Sequence, residues 1–311
     1  MDTISDLKHR RLLRSAIRAC DAPRLRSVLG RGVDVNMAVS DANLDSALTY
    51  AVKCCHLETV ELLLRESECR LDQRNRHKHT ALDEAIYAWL SGQQNRARRY
   101  RILRLLLSSG ARHLTVTRLH PLVEATSGTR AGRHLLDKLV KVVCDSGSDD
   151  IKSALLCALA SHDATYLCLM TLALHGADPG FYVRRDLQRP HLPLNNAMLL
   201  IRATNDPRVL RRIEADATTN MKDARGHRYR QMMKLLTLSG YPLQLYVMMH
   251  LRKWHADTYV WVTRYNACPR SLGHIARVAV RTHFRSNVIV GIMGLPHVPE
   301  VIKRYLLLDD L

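Results

Sequence analysis

The sequence of 311 residues is poor in aromatic side chains, which make up 5% of the chain and include two phenylalanines. Such a composition argues against a β-sandwich, whereas small helices rich in Leu and Ala can stack closely without large rings. At 47% hydrophobic residues the chain still has enough apolar side chains to bury a sizeable core. The composition therefore predicts a folded protein built mainly from helices.

Long apolar runs are also missing, and none reaches the roughly 18 residues that a membrane span requires. Residues 1–8 lack the apolar core of a secretory signal peptide. We therefore expect a soluble protein of the cytoplasm or the nucleus, with no membrane partner.

Motifs of metal binding and catalysis are absent from the sequence. The eight cysteines include no CxxC pair, and most fall on apolar helical faces, so we expect buried free thiols and not disulfides or zinc ligands. There is no Gly-rich phosphate loop, HExxH motif or GxSxG motif. The sequence therefore predicts no catalytic residue, no metal and no cofactor.

Acidic residues are few: 29 Asp and Glu stand against 47 Lys and Arg, a net charge of +18. The basic residues are spread along the chain apart from a run at residues 96–101, and no recognised nucleic-acid motif accompanies them. This pattern disfavours a nucleic-acid partner. It suggests a protein target that offers acidic patches.

An internal repeat begins near Leu12, and its clearest unit spans residues 46–64. Apolar residues at helical spacing mark one face of each half, which predicts two antiparallel helices. A pair of helices cannot bury both faces alone, so the next repeat must cover them. The apolar residues are Leu48, Ala51 and Val52 in the first half and Val60, Leu63 and Leu64 in the second.

The same frame recurs on both sides of this unit. Residues 16–36 end in a turn where Gly32 supplies the left-handed residue that follows a helix. Two insertions interrupt the pattern: residues 91–100 lengthen a loop or its helices, and residues 205–230 form a long, charged and irregular connection. Further units open at Thr80, His120, Ser153 and Leu192.

The unit at residues 46–64 resembles the ankyrin repeat, in which T-P-L-H-x-A opens the first helix and E-x-V-x-L-L-L forms the second. The resemblance extends over residues 10–240. It implies an all-α ankyrin-repeat solenoid of about six helix pairs. Within it, we interpret His56 as a turn residue that bonds locally and His175 as a helix-end residue, and Asp34, Asn36 and Asp178 as turn residues.

The C-terminal stretch begins with a second helical pattern. Pro269 and Ser271 stand where a helix would start, with Ser271 as the N-cap. An apolar stripe then follows at i, i+3, i+4 and i+7, and polar residues take the other sides. The stripe consists of Leu272, Ile275, Ala276 and Ala279, and the other sides carry Gly273, His274, Arg277 and Arg281.

Two apolar-Pro steps, Leu295–Pro296 and Val298–Pro299, come next and predict an extended segment. Helical spacing resumes at residues 301–308. Residues 268–311 could bury little core alone, so we expect a partner to complete them.

This order of motifs resembles the SOCS box of the ankyrin repeat and SOCS box proteins. In that family the first helix docks on elongin C, with elongin B behind it. The proline segment helps to select cullin-5, whose RING protein brings the ubiquitin-conjugating enzyme. The resemblance implies that Leu272 anchors in the elongin C pocket. The implied elongin C contacts are Ser271, Leu272, Ile275, Ala276 and Ala279, and the implied cullin contacts are Leu295, Pro296, Val298 and Pro299.

Two positions depart from the family pattern. Ala276 stands where the family usually has Cys, and His297 places Leu295–Pro296 one residue out of register.

The resemblance implies a non-catalytic substrate-recognition subunit of an elongin B/C–cullin-5 ubiquitin ligase, which promotes degradation of a bound target. It divides the chain into a repeat domain (1–241), a capping segment (242–267) and a SOCS box (268–311). One alternative is an ankyrin scaffold without ligase recruitment, and another is a basic nucleic-acid binder.

Overall fold

The computed structural model describes residues 3–92, 94–162, 165–180, 192–219, 227–268 and 270–309. Over these ranges the chain folds into helices and contains no strand, and an isolated bridge pairs Ala38 with Ser46. The prediction of an all-α helical repeat solenoid is confirmed. Among the described residues, no helix is both long enough and apolar enough to cross a membrane.

The chain forms two compact units, residues 1–151 and 152–311. The helices of the first unit are α1 (Thr3–Arg18), α2 (Ala22–Leu29), α3 (Ala47–Lys53), α4 (Leu57–Arg65), α5 (Ala81–Ser91), α6 (Arg96–Ser108), α7 (Val116–Ser127) and α8 (Arg130–Ser146), and α9 (Asp149–Leu159) crosses the division. Those of the second are α10 (Tyr166–Leu174), α11 (Leu194–Ala203), α12 (Pro207–Thr219), α13 (His227–Leu238), α14 (Leu245–Trp254), α15 (Ala256–Ala267), α16 (Leu272–Phe284), α17 (Val288–Met293) and α18 (Glu300–Leu307).

The first unit stacks four helix pairs. Each odd-numbered helix packs on the even-numbered helix that follows it, and also on the odd-numbered helix of the next pair. The even-numbered helices form a second row in the same way. Each pair therefore contacts mainly its neighbours, as expected for a helical repeat.

The repeat that is clearest in the sequence forms α3 and α4. The Ser46 side chain caps α3 by accepting a hydrogen bond from the Thr49 N–H at 3.2 Å. Leu48, Val60 and Leu63 are buried, so the two predicted apolar faces lie in the core.

Turn residues tie each pair to the next. The side-chain amide of Asn36 donates to the Glu68 carbonyl and its oxygen accepts from the Arg70 N–H, both at 2.7 Å. Asp72 accepts from the His113 N–H at 3.0 Å in the equivalent place one repeat later. The repeat spacing therefore sets polar contacts as well as the apolar core.

The two histidines that we assigned to turns behave differently. His56 Nδ1 lies 2.8 Å from the Ile17 carbonyl, so it bonds to the preceding helix pair and the prediction of a local bond is wrong. His175 ends α10, and its Nδ1 lies 2.8 Å from the Thr171 carbonyl of the same helix. The prediction for His175 is confirmed.

The first predicted insertion lengthens helices. Residues 91–100 belong largely to α5, which continues to Ser91, and to α6, which begins at Arg96. The fourth unit also begins earlier than His120, because α7 starts at Val116 and contains Pro121.

The second insertion was expected to be irregular over residues 205–230, but its described residues are mostly helical, and residues 220–226 lie outside the described ranges. Within it, α12 starts at Pro207, a favoured first helical residue. Asp206 precedes it and accepts from the Arg208 N–H at 2.9 Å. The charged residues hid an apolar stripe that the fold buries, formed by Val209, Leu210 and Ile213.

In the second unit, α10, α11, α13 and α15 contact one another in succession. The segment at residues 242–267, predicted to be one helix-like cap, forms two helices, α14 and α15, divided at His255. Helix α15 packs on α13 and α14 packs on α15, whereas Trp254 stays exposed.

Cys20, Cys54, Cys55, Cys69 and Cys268 are free thiols. Cys55, Cys157 and Cys168 are buried as expected, whereas Cys20 and Cys268 are exposed. In the described part of the chain, no three His, Cys, Asp or Glu side chains lie where they could hold a metal.

Asp83 provides a test of how the first unit holds together. The buried carboxylate accepts from the Thr80 N–H at 2.8 Å and the Thr115 N–H at 2.7 Å, so it joins α5 to the start of α7. We expect Asp83→Ala to lower the free energy of unfolding by about 3 kcal/mol, because buried donors lose a charged acceptor. Urea unfolding followed by circular dichroism measures the change.

The matched control is Glu124→Ala, because Glu124 is an exposed acid on α7. This variant should stay within about 0.5 kcal/mol of the parent. Equal losses in both variants would contradict the assignment of Asp83 as an inter-repeat link.

Candidate docking surface on the C-terminal helices

Helix α16 begins where the sequence predicts. The Ser271 hydroxyl caps it by accepting a hydrogen bond from the His274 N–H at 3.2 Å. Pro269, the other predicted start signal, lies outside the described residues. The helix continues to Phe284, so the four residues of the predicted apolar stripe share one face.

The polar face of α16 points into the protein. His274, Arg277 and Arg281 follow one another at i, i+3 and i+7, and all three are buried. A helix normally buries its apolar stripe and exposes its charges. In α16 this arrangement is reversed.

Arg281 has no exposed surface, and it binds the end of another helix. Its Nη2 donates to the carbonyls of Ile201 at 2.5 Å and Thr204 at 3.2 Å, and its Nη1 to that of Arg202 at 3.2 Å. These carbonyls lie at the C-terminus of α11, where backbone acceptors lack intrahelical donors. Nη1 also donates to the Leu306 carbonyl at 3.3 Å, so one guanidinium joins α11, α16 and α18.

Burial lowers the pKa of Arg281 to about 9, and the nearby Arg277 and Arg202 add to this effect. The guanidinium therefore remains protonated at neutral pH. Its charge favours the negative end of the α11 dipole.

Two further contacts fix the C-terminal end of α16. The Asn205 N–H donates to the Arg285 carbonyl at 2.6 Å, and the Thr204 hydroxyl donates to the same carbonyl at 3.0 Å. The Asn205 side chain donates to the Thr282 hydroxyl at 3.0 Å. The segment after α11 is therefore hydrogen-bonded to the last turn of α16.

His274 fixes the other end of the helix. Its Nδ1 lies 2.5 Å from the Tyr265 hydroxyl, and its Nε2 lies 2.6 Å from Arg270 Nη1. Nδ1 also lies 3.2 Å from Arg277 Nη2, so an arginine guanidinium faces each nitrogen of the ring. The Tyr265 ring stacks on Trp261 with 5.1 Å between centroids, so α15 supports this anchor.

The middle of α16 rests on two close contacts. The Arg277 guanidinium lies 4.5 Å from the ring centroid of Tyr305 on α18, a cation–π contact. On the side of the repeats, Gly240 has φ +88°, and a Cβ there would lie 2.9 Å from the Val278 side chain. Glycine is therefore required for both the turn and the approach of α16.

The face opposite these anchors is exposed. Leu272 is 83% exposed and Ile275 is 53% exposed, and Ser271, Ala276 and Ala279 are also exposed. We call the four apolar residues Leu272, Ile275, Ala276 and Ala279 the exposed stripe. Its two large side chains forgo burial that would contribute about 1.5–3 kcal/mol each.

The proline segment is partly exposed and is not extended throughout. Residues 296–297 form a turn, with His297 at φ +61°, because the residue between the two apolar-Pro steps reverses the chain. Leu295 and Val298 are half-buried, whereas Pro296 and Pro299 are exposed.

Two further apolar residues follow the proline segment in the sequence. Val301 and Ile302, in the first turn of α18, are exposed as well, and Leu306 and Leu307 at its other end are buried.

The remaining C-terminal helix is covered in part by the chain itself. Val288 and Ile292 on α17 are fully buried, and α17 packs on α10 and α11. The expectation that a partner must complete residues 268–311 is therefore too broad. Helices α10 and α11 cover part of α17, where Val290 and Met293 stay exposed, and further exposed apolar side chains lie on α16 and at the start of α18.

Residues 43–76 match the family model described as Ankyrin repeat. The match covers α3 and α4 and the turns around them. Ankyrin repeats are non-catalytic modules of protein–protein interaction, so the chain has a module for binding protein partners. No SOCS box model matches the chain, and no curated protein matches it.

Sequence reasoning missed the anchoring role of the polar face. His274, Arg277 and Arg281 have the same helical spacing as the apolar stripe, and this regularity was the available signal. Nothing in that spacing identifies the carbonyls of α11 as acceptors, because they lie about 80 residues earlier in the chain.

Arg281 can be tested by two substitutions. Arg281→Met keeps most of the side-chain volume but leaves the four carbonyls without their donor. We expect it to lower the free energy of unfolding by about 3 kcal/mol or more. Arg264→Ala, which removes an exposed arginine from α15, should stay within about 0.5 kcal/mol. A methionine variant as stable as the parent would contradict the capping role.

His274 predicts a dependence of stability on pH. Burial first, and then Arg270 and Arg277, lower its pKa below the ordinary 6.5. The folded protein therefore binds this proton more weakly than the unfolded chain. The resulting stability is complete above about pH 6.5 and is lost as the pH falls through the folded pKa.

Thermal melting between neutral pH and about pH 5 measures this loss. His274→Gln should flatten the decline, whereas His283→Gln, at an exposed histidine of the same helix, should leave it unchanged. The same pH slope in parent and His274→Gln would show that other groups cause it.

Proposed function

We propose that this protein is a substrate-recognition subunit of an elongin B/C–cullin-5 ubiquitin ligase. In this proposal the repeats bind a target protein, and residues 268–311 deliver it to the ligase. The observation that carries the proposal is the exposed stripe on α16, with its polar face held by the chain itself.

The geometry of α16 supports elongin C as the occupant of the stripe. Leu272 lies in the first turn and projects from a helix that is anchored at both ends, so a pocket could receive it without reordering the helix. Pre-organisation of this kind lowers the entropy lost on binding. Ala276 and Ala279 are small, so a partner could approach the helix closely beside Leu272 and Ile275.

Cullin-5 and its RING protein are proposed to contact the adjoining segment. Leu295, Pro296, Val298 and Pro299 would form this contact, with His297 shifting the first apolar-Pro step. The exposure of the two prolines and of Val301 and Ile302, which follow them in the sequence, supports a second docking area.

Catalysis would come from proximity. The ligase would hold a target lysine near a ubiquitin-loaded conjugating enzyme, which converts a bimolecular encounter into a nearly unimolecular one. The chain would supply no reacting group. We place this activity in the cytoplasm or nucleus, and we retain residues 1–241, 242–267 and 268–311 as functional divisions.

Co-expression with elongins B and C tests the proposal. The parent chain should co-purify with both, and Leu272→Asp should abolish the complex, because a charge in an apolar pocket loses its hydration. Leu245→Asp is the matched control, since Leu245 is a 76% exposed leucine on α14. This control should bind as the parent does.

Two outcomes would contradict the proposal. A parent chain that does not retain elongins favours an ankyrin scaffold without ligase recruitment. Equal recovery with Leu272→Asp and with Leu245→Asp would remove the exposed stripe as the docking surface.

Pro296→Glu should keep the elongins and weaken cullin-5 recovery, which separates the two contacts.

A further inference from the structure

A cleft of about 500 Å³ lies between α6 and α8 in the first unit. This volume is in the range of pockets that bind small ligands or a few side chains. Its floor includes the buried Trp89 and the half-buried Tyr100, whose ring centroids are 5.6 Å apart. We call it the α6–α8 cleft.

Cations line both walls of the cleft. Arg96 and Arg104 lie on the α6 side and Lys138 and Lys141 on the α8 side, against one acid, Asp145. Arg96, Tyr100 and Arg104 are spaced at i, i+4 and i+8, so they share one face of α6. The arginine run at residues 96–101 therefore contributes to a defined concave surface.

The four cations that line the cleft repel one another. In the described part of the chain, the structure gives these four cations no ion pair, and like charges near an apolar floor raise the local positive potential. Arg96 Nε is also shielded from solvent and has no hydrogen-bond acceptor among the described residues. A bound group with several anionic acceptors would relieve both costs.

We propose that the α6–α8 cleft binds an acidic segment of a partner protein, with carboxylates between the two rows of cations and an apolar side chain on Trp89 and Tyr100. The apolar floor favours a peptide over a simple anion. This site is independent of the ligase proposal, because it needs neither elongin nor cullin.

The test is fluorescence anisotropy with the whole chain and a labelled peptide of Glu and Phe residues. The peptide should bind, a matched peptide with Gln in place of Glu should not, and added salt should weaken the binding. Absence of binding by the Glu peptide would overturn the proposal. Neither result alters the elongin test, which depends on Leu272.

Paired charge reversals locate the site. Arg104→Glu should weaken peptide binding about tenfold or more, equivalent to one well-placed charge contact. Arg101→Glu changes the net charge equally on the same helix but lies outside the cleft, and it should weaken binding less than about twofold. Arg104 and Arg101 are exposed, as are Lys141 and Arg133 of the second pair below. Circular dichroism should therefore show unchanged folding in all four variants.

The second pair is Lys141→Glu and Arg133→Glu on α8. Lys141 lines the cleft and Arg133 does not, so the first should weaken binding and the second should not. Equal effects within either pair would mean general attraction to a basic surface and would overturn the proposal. Tighter binding of single-stranded DNA, lost in Arg104→Glu, would assign the cleft to nucleic acid instead.

Discussion

The C-terminal part of this protein depends on one buried guanidinium. Arg281 donates to four backbone carbonyls, three at the C-terminal end of α11 and one on α18. A helix end leaves acceptors that would be costly to bury alone, and a buried arginine needs several acceptors. The guanidinium and the carbonyls therefore satisfy each other's hydrogen bonds. This bonding fixes α16 with its basic face inward.

The orientation of α16 follows from that bond and has a functional consequence. Because His274 and Arg277 share a face with Arg281, the apolar side chains on the opposite face have no place in the protein's own core. The chain gives up the burial of Leu272 and Ile275, and it gains a rigid apolar surface. A rigid, exposed apolar surface of this kind is suited to contact with a partner.

Much of the fold could be predicted from periodicity. The spacing of Leu48, Val60 and Leu63 identified a helix pair, and Ser271 marked the start of α16. The charged stretch at residues 205–230 misled the same reasoning, because charges on the exposed side of α12 concealed its buried stripe. The prediction of a local bond for His56 was wrong for another reason, since its hydrogen-bond partner, the Ile17 carbonyl, belongs to another helix pair.

The sequence by itself determined which residues share a helical face, because the period of the α-helix depends only on local geometry. It thereby determined the repeats and the grouping of Leu272 with Ile275, Ala276 and Ala279. Only the tertiary structure decided which face of α16 is inward, and only it brought Arg96 and Arg104 opposite Lys138 and Lys141. The physical reason is that burial and charge contacts depend on segments distant in the chain, and local spacing carries no information about them.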